Sequence, residues 1–308
     1  MSERIDPHAA LTAEIQRIVT DELTRATADL ETARSQPERG FHETRKRLKK
    51  LRALFRLVRS ADRPFWNAEN IRLRDVARGL AGAREAAALV ETVDRLARAN
   101  PRESGSGGLA PIREALVRNH DRIVRDRTGQ DSLVEEAIRA IEDGRCSVEA
   151  CVLPHDPQAA ADILADGAAS ALRRASRALE QARKHGREDD FHELRKGVKD
   201  HWTHLTLLAS FWPTPVKSRR KQVGSLGDRL GELNDLFVLQ ELIDRRDESL
   251  GVDGDVQLLQ RLLRRSEKKL RKKCLDEAEK LLDLRPAKLG RRLADHYRED
   301  AGEAPRLH

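Results

Sequence analysis

His42, Arg45, Lys46 and Lys49 stand in the order His-x-x-Arg-Lys-x-x-Lys, and His192, Arg195, Lys196 and Lys199 repeat that order further along the chain. Each set offers an imidazole, a guanidinium and two ammonium groups, with no carboxylate among them. That is a donor-rich, positively charged array, suited to holding an anion rather than to relaying protons. Arg presents a planar fork to two phosphate oxygens, and Lys supplies a mobile point charge. Spacings of three and four residues put all members of a set on one face of a helix.

The first set lies in "FHETRKRLKKLRALFRLVR" (residues 41–59), which holds eight Lys or Arg residues and one acid, Glu43. Like charges three or four apart repel by about 0.2–0.5 kcal/mol per pair, so a partner outside the helix is expected to neutralise them. On a helical wheel His42, Arg45, Lys46, Lys49, Arg52 and Arg56 share one arc, and Leu48, Leu51, Leu54, Phe55 and Val58 share the opposite one. In "FHELRKGVKDHWTHLTLLA" (residues 191–209) the apolar arc is Val198, Leu205 and Leu208. Trp202 and Thr206 stand there where the first copy has Arg52 and Arg56. The second cationic surface is therefore shorter, and a lopsided site is expected.

Charge in the rest of the chain is balanced. The net charge is +7; residues 41–59 contribute eight bases less one acid, leaving 51 bases against 51 acids elsewhere. A neutral protein with one concentrated basic segment points to a polyanionic partner. Cys146, Cys151 and Cys274 form neither a CxxC pair nor an even set, which favours a reducing compartment without disulfides. The segment "MSERIDPHAA" lacks the apolar run of a signal peptide, and no stretch approaches the roughly 20 apolar residues that span a bilayer. A cytoplasmic protein with no membrane contact is expected.

The elements that must position these residues also come in pairs. "LAGAREAAAL" (80–89) aligns with "LGELNDLFVL" (230–239), and "RATADLETAR" (25–34) with "RASRALEQAR" (174–183). Three matched blocks in one order indicate duplication of a unit. With 36% charged and 3% aromatic residues, and Ala, Leu, Arg and Glu abundant, each unit reads as helical. The predicted helices are 10–35, 41–59, 66–98 and 110–142, then 157–184, 190–209, 216–247 and 255–298, the last broken near Pro286. Short connections between four helices predict an up-and-down bundle. The expected fold is all-α: two tandem four-helix bundles, residues 10–145 and 157–298, related by a pseudo-two-fold axis and joined through "CSVEACVLPHDP". Gly79, Gly82, Gly224, Gly227 and Gly231 are expected to serve close helix approach, and "ESGSGG" (103–108) to be a surface loop.

The regular row of cations suits a chain of spaced anions. Single-strand nucleic-acid binding normally adds aromatic platforms, but the chain has six Phe, three Trp and one Tyr, and the basic arcs carry no aromatic before Trp202. No recognition helix for duplex base edges stands out. A phosphate polymer without bases needs charge alone, and RNA is the disfavoured alternative.

The paired blocks "FHETRKRLKKLR" and "FHELRKGVKDHW", with "LGELNDLFVL" downstream, resemble the CHAD domain, the conserved histidine α-helical domain, over residues 10–298. The resemblance implies two four-helix bundles around a basic central cleft, binding of inorganic polyphosphate, and association with polyphosphate granules. The family pattern carries Arg-Asp after Leu-Gly; here the copies read Arg84-Glu85 and Asn234-Asp235, so a phosphate contact for Arg84 follows only by analogy.

His42 and His192 are read as hydrogen-bond donors to phosphate, with phosphoacceptor and metal ligand as the alternatives. Neither has a carboxylate or thiolate ligand on its own arc, so no metal is expected. His201 and His204 fall opposite Leu51 and Leu54 of the first copy and are read as core histidines. No Glu-x-Glu-x-Lys strand, His-Glu-x-x-His helix or Walker loop is present; no catalytic residue and no cofactor are expected, a phosphohistidine or metal-dependent phosphate-handling enzyme being the alternative. The run "RLLRRSEKKLRKKC" (261–274) either extends the cleft wall or forms a solvated outer face. Arg220 and Lys221, in "KSRRK", join the candidate site if their helix packs antiparallel to the one bearing His192.

Overall fold

A computed structural model describes residues 4–104, 108–212, 216–250 and 256–302. Among these residues there are twelve α-helices and a short 3₁₀ turn, and no strand. In the first half α1 is Leu11–Ala33, α2 Pro37–Leu57, α3 Arg63–Gly79, α4 Gly82–Ala99, α5 Pro101–Ser104, α6 Ala110–Arg125 and α7 Arg127–Glu149. In the second half α8 is Pro157–His185, α9 Glu188–Leu207, α10 Val216–Asp244, α11 Val256–Leu281 and α12 Pro286–Gly302, with the 3₁₀ turn at Glu248–Leu250. Pro37, Pro157 and Pro286 open their helices, where a missing N–H costs nothing.

Two of the predicted helices are each broken. Residues 66–98 divide at Leu80 and Ala81, between Gly79 and Gly82, whereas the aligned α10 runs on without a break. Those glycines lower helix propensity, and a Cβ at either would meet nothing closer than 3.8 Å, so they serve the break rather than a close helix approach. Residues 110–142 divide at Asp126, whose carboxylate caps α7 by accepting from Gly129 N–H. The expected break near Pro286 is present. Of the "ESGSGG" loop, Glu103 and Ser104 close α5, and residues 105–107 lie outside the described residues.

α1 packs against α2 and α7, and α2 against α3; α8 packs against α9 and α12, and α9 against α10. α4 packs on α6 as α10 packs on α11. One hydrophobic core runs through both halves, taking in Leu48, Leu51 and Leu54 of α2 and Leu194, Val198 and Leu205 of α9. A second, smaller core joins α4 and α6 to α10 and α11 through Leu89, Val93, Leu236, Leu239, Leu259 and Leu262.

The halves meet closely where glycine allows it. A Cβ on Gly167 of α8 would lie 1.9 Å from the Leu57 carbonyl oxygen of α2, so any side chain there collides with backbone. His204 Nε2–H donates to the Ala53 carbonyl at 2.9 Å, tying α9 to α2. The segment before α1 closes the structure from outside. Ile5 is fully buried, its N–H donates to Leu207 O at 2.8 Å, and its carbonyl accepts from Ser210 Oγ. Cys146, Cys151 and Cys274 are all free thiols. No helix among the described residues is long and apolar enough to cross a membrane.

Candidate anion-binding groove

The helical wheel of α2 is realised: Leu48, Leu51, Leu54, Phe55 and Val58 are buried, and so are Val198, Leu205 and Leu208. With those faces turned inward, the cationic arcs are left between α2 and α9. Lys49 sits where the arcs converge. It keeps exposed surface, yet desolvation, followed by the charges of Arg45, Arg195, Arg52 and Lys199, pushes its pKa down to about 8. Two of those four charges come from the other half of the chain.

Arg45 is set by the break after α3. The last carbonyls of a helix lack N–H partners, and the Arg45 guanidinium donates to one of them, Ala77 O, with Glu85 3.9 Å away. Arg52 donates to Asn70 Oδ1 at 3.2 Å, and burial with Arg56 and Arg74 nearby lowers its pKa to about 10. Arg195 is mostly enclosed, and its Nε makes no hydrogen bond among the described residues. Room for these side chains comes from α10. A Cβ on Gly227 would lie 3.0 Å from Lys199 Cε, and one on Gly231 3.7 Å from Arg195 Nε. Gly227 and Gly231 thus make space for cations, and Gly224 for Trp202, rather than for a neighbouring backbone.

The histidines stand toward the amino-terminal ends of α2 and α9. His192 Nδ1 lies 2.9 Å from Asn234 Oδ1, which fixes Nδ1 as the donor and leaves Nε2 pointing elsewhere. His42 opens on a cavity of about 650 Å³ that also touches Arg39, Arg84, Glu38 and Glu91. Burial and then the Arg84 charge lower its pKa. The cation that discourages its protonation is therefore chiefly one from α4, with Lys46 and Lys49 of its own arc behind it.

Acids elsewhere in the chain already meet part of the α2 charge that was expected to await an external partner. Arg47 pairs with Asp29 at 2.6 Å and with Glu22 at 3.3 Å, and Lys50 pairs with Glu22 at 2.9 Å, so this flank fastens α2 to α1. Lys46 meets Glu43, and Lys196 meets Glu193, on exposed surface. Further acids come from α4 and α10: Lys199 pairs with Asp228 at 2.8 Å, Arg84 with Glu91 at 2.8 Å, and Arg95 with Asp235 at 3.6 Å. Arg56 is the member that the arc does not deliver. Both carboxylate oxygens of buried Asp200 hold its guanidinium, Asn70 takes a third donor, and Arg174 of α8 binds the same carboxylate.

Arg220 and Lys221 are also displaced from the place expected for them. α10 does pack antiparallel to α9, with Gly224 against Trp202 and Asn234 against His192. Antiparallel packing sets the start of one helix beside the end of the other. Fourteen residues, about 21 Å of helix, separate Arg220 from Asn234, so Arg220 and Lys221 lie at the far end of α9 from His192. Asn234, Asp228, Asp235 and Asp200 were missed by sequence reasoning; only Asn234-Asp235 had a signal, in the repeated "LGELND" block.

His201 and His204 are core residues, as their alignment with Leu51 and Leu54 implies. Both are fully buried, with pKa values lowered by burial to about 3 and about 4. Among the described residues no group of three or more His, Cys, Asp or Glu side chains is placed to hold a metal ion.

The described residues are helical, and α2 and α9 each carry the order His-x-x-Arg-Lys-x-x-Lys. The model of the CHAD domain matches residues 17–244, from α1 to the end of α10, and the chain belongs to that family. A comparison with curated proteins finds no match.

Proposed function

We propose that this CHAD-family chain is a non-enzymatic binder of inorganic polyphosphate, built as two duplicated four-helix units whose basic helices share a central groove. The observation that carries the reading is the cation cluster at Lys49. Five like charges from α2 and α9 are held together at a cost in desolvation, and a chain of phosphates offsets that cost at a spacing near one helical turn. Polyphosphate then displaces Asp228 and Glu85 from Lys199 and Arg45. His192, anchored through Nδ1 to Asn234, turns Nε2–H to a phosphate oxygen as the imidazolium. Of the Phe and Trp rings on the described residues of α2 and α9, Trp202 is the exposed one, and Phe41, Phe55 and Phe191 are buried, which favours a base-free polymer over RNA. Residence in the cytoplasm and association with polyphosphate granules belong to the same reading.

The test is binding of long-chain polyphosphate and length-matched RNA across a salt series. Both affinities fall steeply with salt, and polyphosphate remains the tighter ligand; equal or tighter RNA binding overturns the assignment. Lys49→Glu is expected to weaken polyphosphate about 30-fold or more, in line with the roughly 2 kcal/mol that losing one partner of a desolvated charge contact costs. Lys199→Glu is expected to cost less, because Asp228 already holds Lys199 in the free protein.

Protonation supplies a second check. Free Lys49 loses its proton near pH 8, and a bound phosphate restores it, so affinity holds below that pH and declines above it, by up to about tenfold per pH unit. Lys49→Arg stays charged and flattens the profile. Titration calorimetry in two buffers of different ionisation enthalpy at alkaline pH reads the proton uptake directly.

A further inference from the structure

The most basic helix of the chain after α2 is α11. Its run 261–274 matches residues 41–59 in count, with eight Lys or Arg residues and a single acid, Glu267. The two helices differ in what happens to that charge. In α2, Glu22, Asp29, Glu43 and Asp200 take up much of it. In α11, Arg271 occupies Glu267 and stacks on Phe191 and Phe237, and Arg265 pairs with Glu103. The other six, Arg261, Arg264, Lys268, Lys269, Lys272 and Lys273, are exposed and make no ion pair among the described residues.

Their placement is regular. Arg261, Arg264, Lys268 and Lys272 follow at three- and four-residue steps along one face, about 16 Å from first to last. The opposite face is apolar: Leu258, Leu259, Leu262 and Leu263 are buried in the second core against α4 and α10. Arg95 and Asp235 join α4 to α10 on the groove side of that core. α11 therefore turns its cations away from the α2–α9 groove, with α4 and α10 in between. A solvated helix surface usually interleaves opposite charges; on this face the first acid is Asp276.

We propose that the outer face of α11 is a second, separate polyphosphate-binding surface, so that one molecule bridges two polymer chains. The identity of the ligand rests on the function proposed above; the surface itself does not. The face carries no aromatic or amide side chain between Arg261 and Lys273, so it recognises charge and spacing without bases.

The experiment is calorimetric stoichiometry with short-chain polyphosphate, and light scattering with long-chain polyphosphate, on the full chain. Wild type is compared with three variants: Arg261→Gln/Arg264→Gln/Lys268→Gln/Lys272→Gln, the single variant Lys268→Glu, and Lys49→Glu. Wild type is expected to bind two short chains and to scatter with long ones. The quadruple variant is expected to bind one, scatter no more than its components, and keep the wild-type melting curve. Lys268→Glu, at an exposed position where folding is not at stake, is expected to weaken the second chain about tenfold. Two chains retained by the quadruple variant, or one chain in wild type that the quadruple variant binds equally well, overturns the proposal. Equal affinity of this face for length-matched RNA overturns its ligand. A single chain lost in the quadruple variant but kept in Lys49→Glu overturns both the bridging of two chains and the groove reading, leaving α11 as the one binding surface.

Discussion

Acidification from pH 6.5 to 4.5 is expected to remove about 5 kcal/mol of folding stability through His201 and His204 alone. Both imidazoles are buried and neutral, His201 without a hydrogen-bond partner among the described residues and His204 bonded to the Ala53 carbonyl. The sign follows from where each proton sits. An unfolded histidine takes a proton near pH 6.5, whereas the folded ones resist until about pH 3 and about pH 4. Between these limits the unfolded state binds two more protons than the folded state. Stability is thus fully present above pH 6.5 and falls by about 2.7 kcal/mol per pH unit below it. Urea melts at half-unit pH intervals measure this slope. His201→Leu, the residue type that the first copy carries at the aligned Leu51, is expected to halve the slope while leaving stability at pH 7 close to wild type. An unchanged slope in that variant would assign the acid sensitivity to carboxylates.

Asp200→Ala is expected to cost about 3–5 kcal/mol, the penalty for leaving buried charge without its partner. Asp200 is 4% exposed and binds two guanidinium groups, one from α2 and one from α8. Burial lowers the pKa of Arg56 and Arg174 to about 10. Removing it leaves Arg56 with only Asn70 in a mostly enclosed place, while Arg174 keeps 40% of its side chain exposed. The triple variant Asp200→Leu/Arg56→Met/Arg174→Met replaces the ionic cluster by apolar volume and is expected to recover most of the loss, since such replacements are often neutral or stabilising. Chemical denaturation of the single and triple variants separates the two outcomes. If Asp200→Ala melts like wild type, the triad is not what joins the halves at this point.

Positions on one helix were legible in the sequence, and relations between helices were not. The apolar arc of α2 follows from a 3.6-residue repeat, the burial of His201 and His204 from their alignment with Leu51 and Leu54, and the break near 286 from proline's missing N–H. The counter-charges failed for the complementary reason. Glu22 and Asp29 lie in α1, Glu85 and Glu91 in α4, Asp228 and Asp235 in α10, and counting acids along α2 alone finds none of them. Arg56 has the same spacing as Arg45 and Lys49, but the exception at Asp200, where the aligned residue is Lys50, recruits it into the interior. Arg220 and Lys221 depended on helix direction, a tertiary property. Even the paired blocks diverge: "LAGAREAAAL" follows a broken helix and "LGELNDLFVL" lies within a continuous one, because α3 stops at Gly79 and leaves the Ala77 carbonyl, in its last turn, to Arg45.

Ile5 gives this architecture a definite order of assembly. Its amide and carbonyl are claimed by Leu207 and by Ser210, the latter 205 positions away along the chain. During synthesis at about 5–20 residues per second, the segment that seals the outside of α9 emerges long before its partners exist. That seam is a late event on the ribosome, and until it forms the buried face around Leu207 remains open to solvent or to a chaperone.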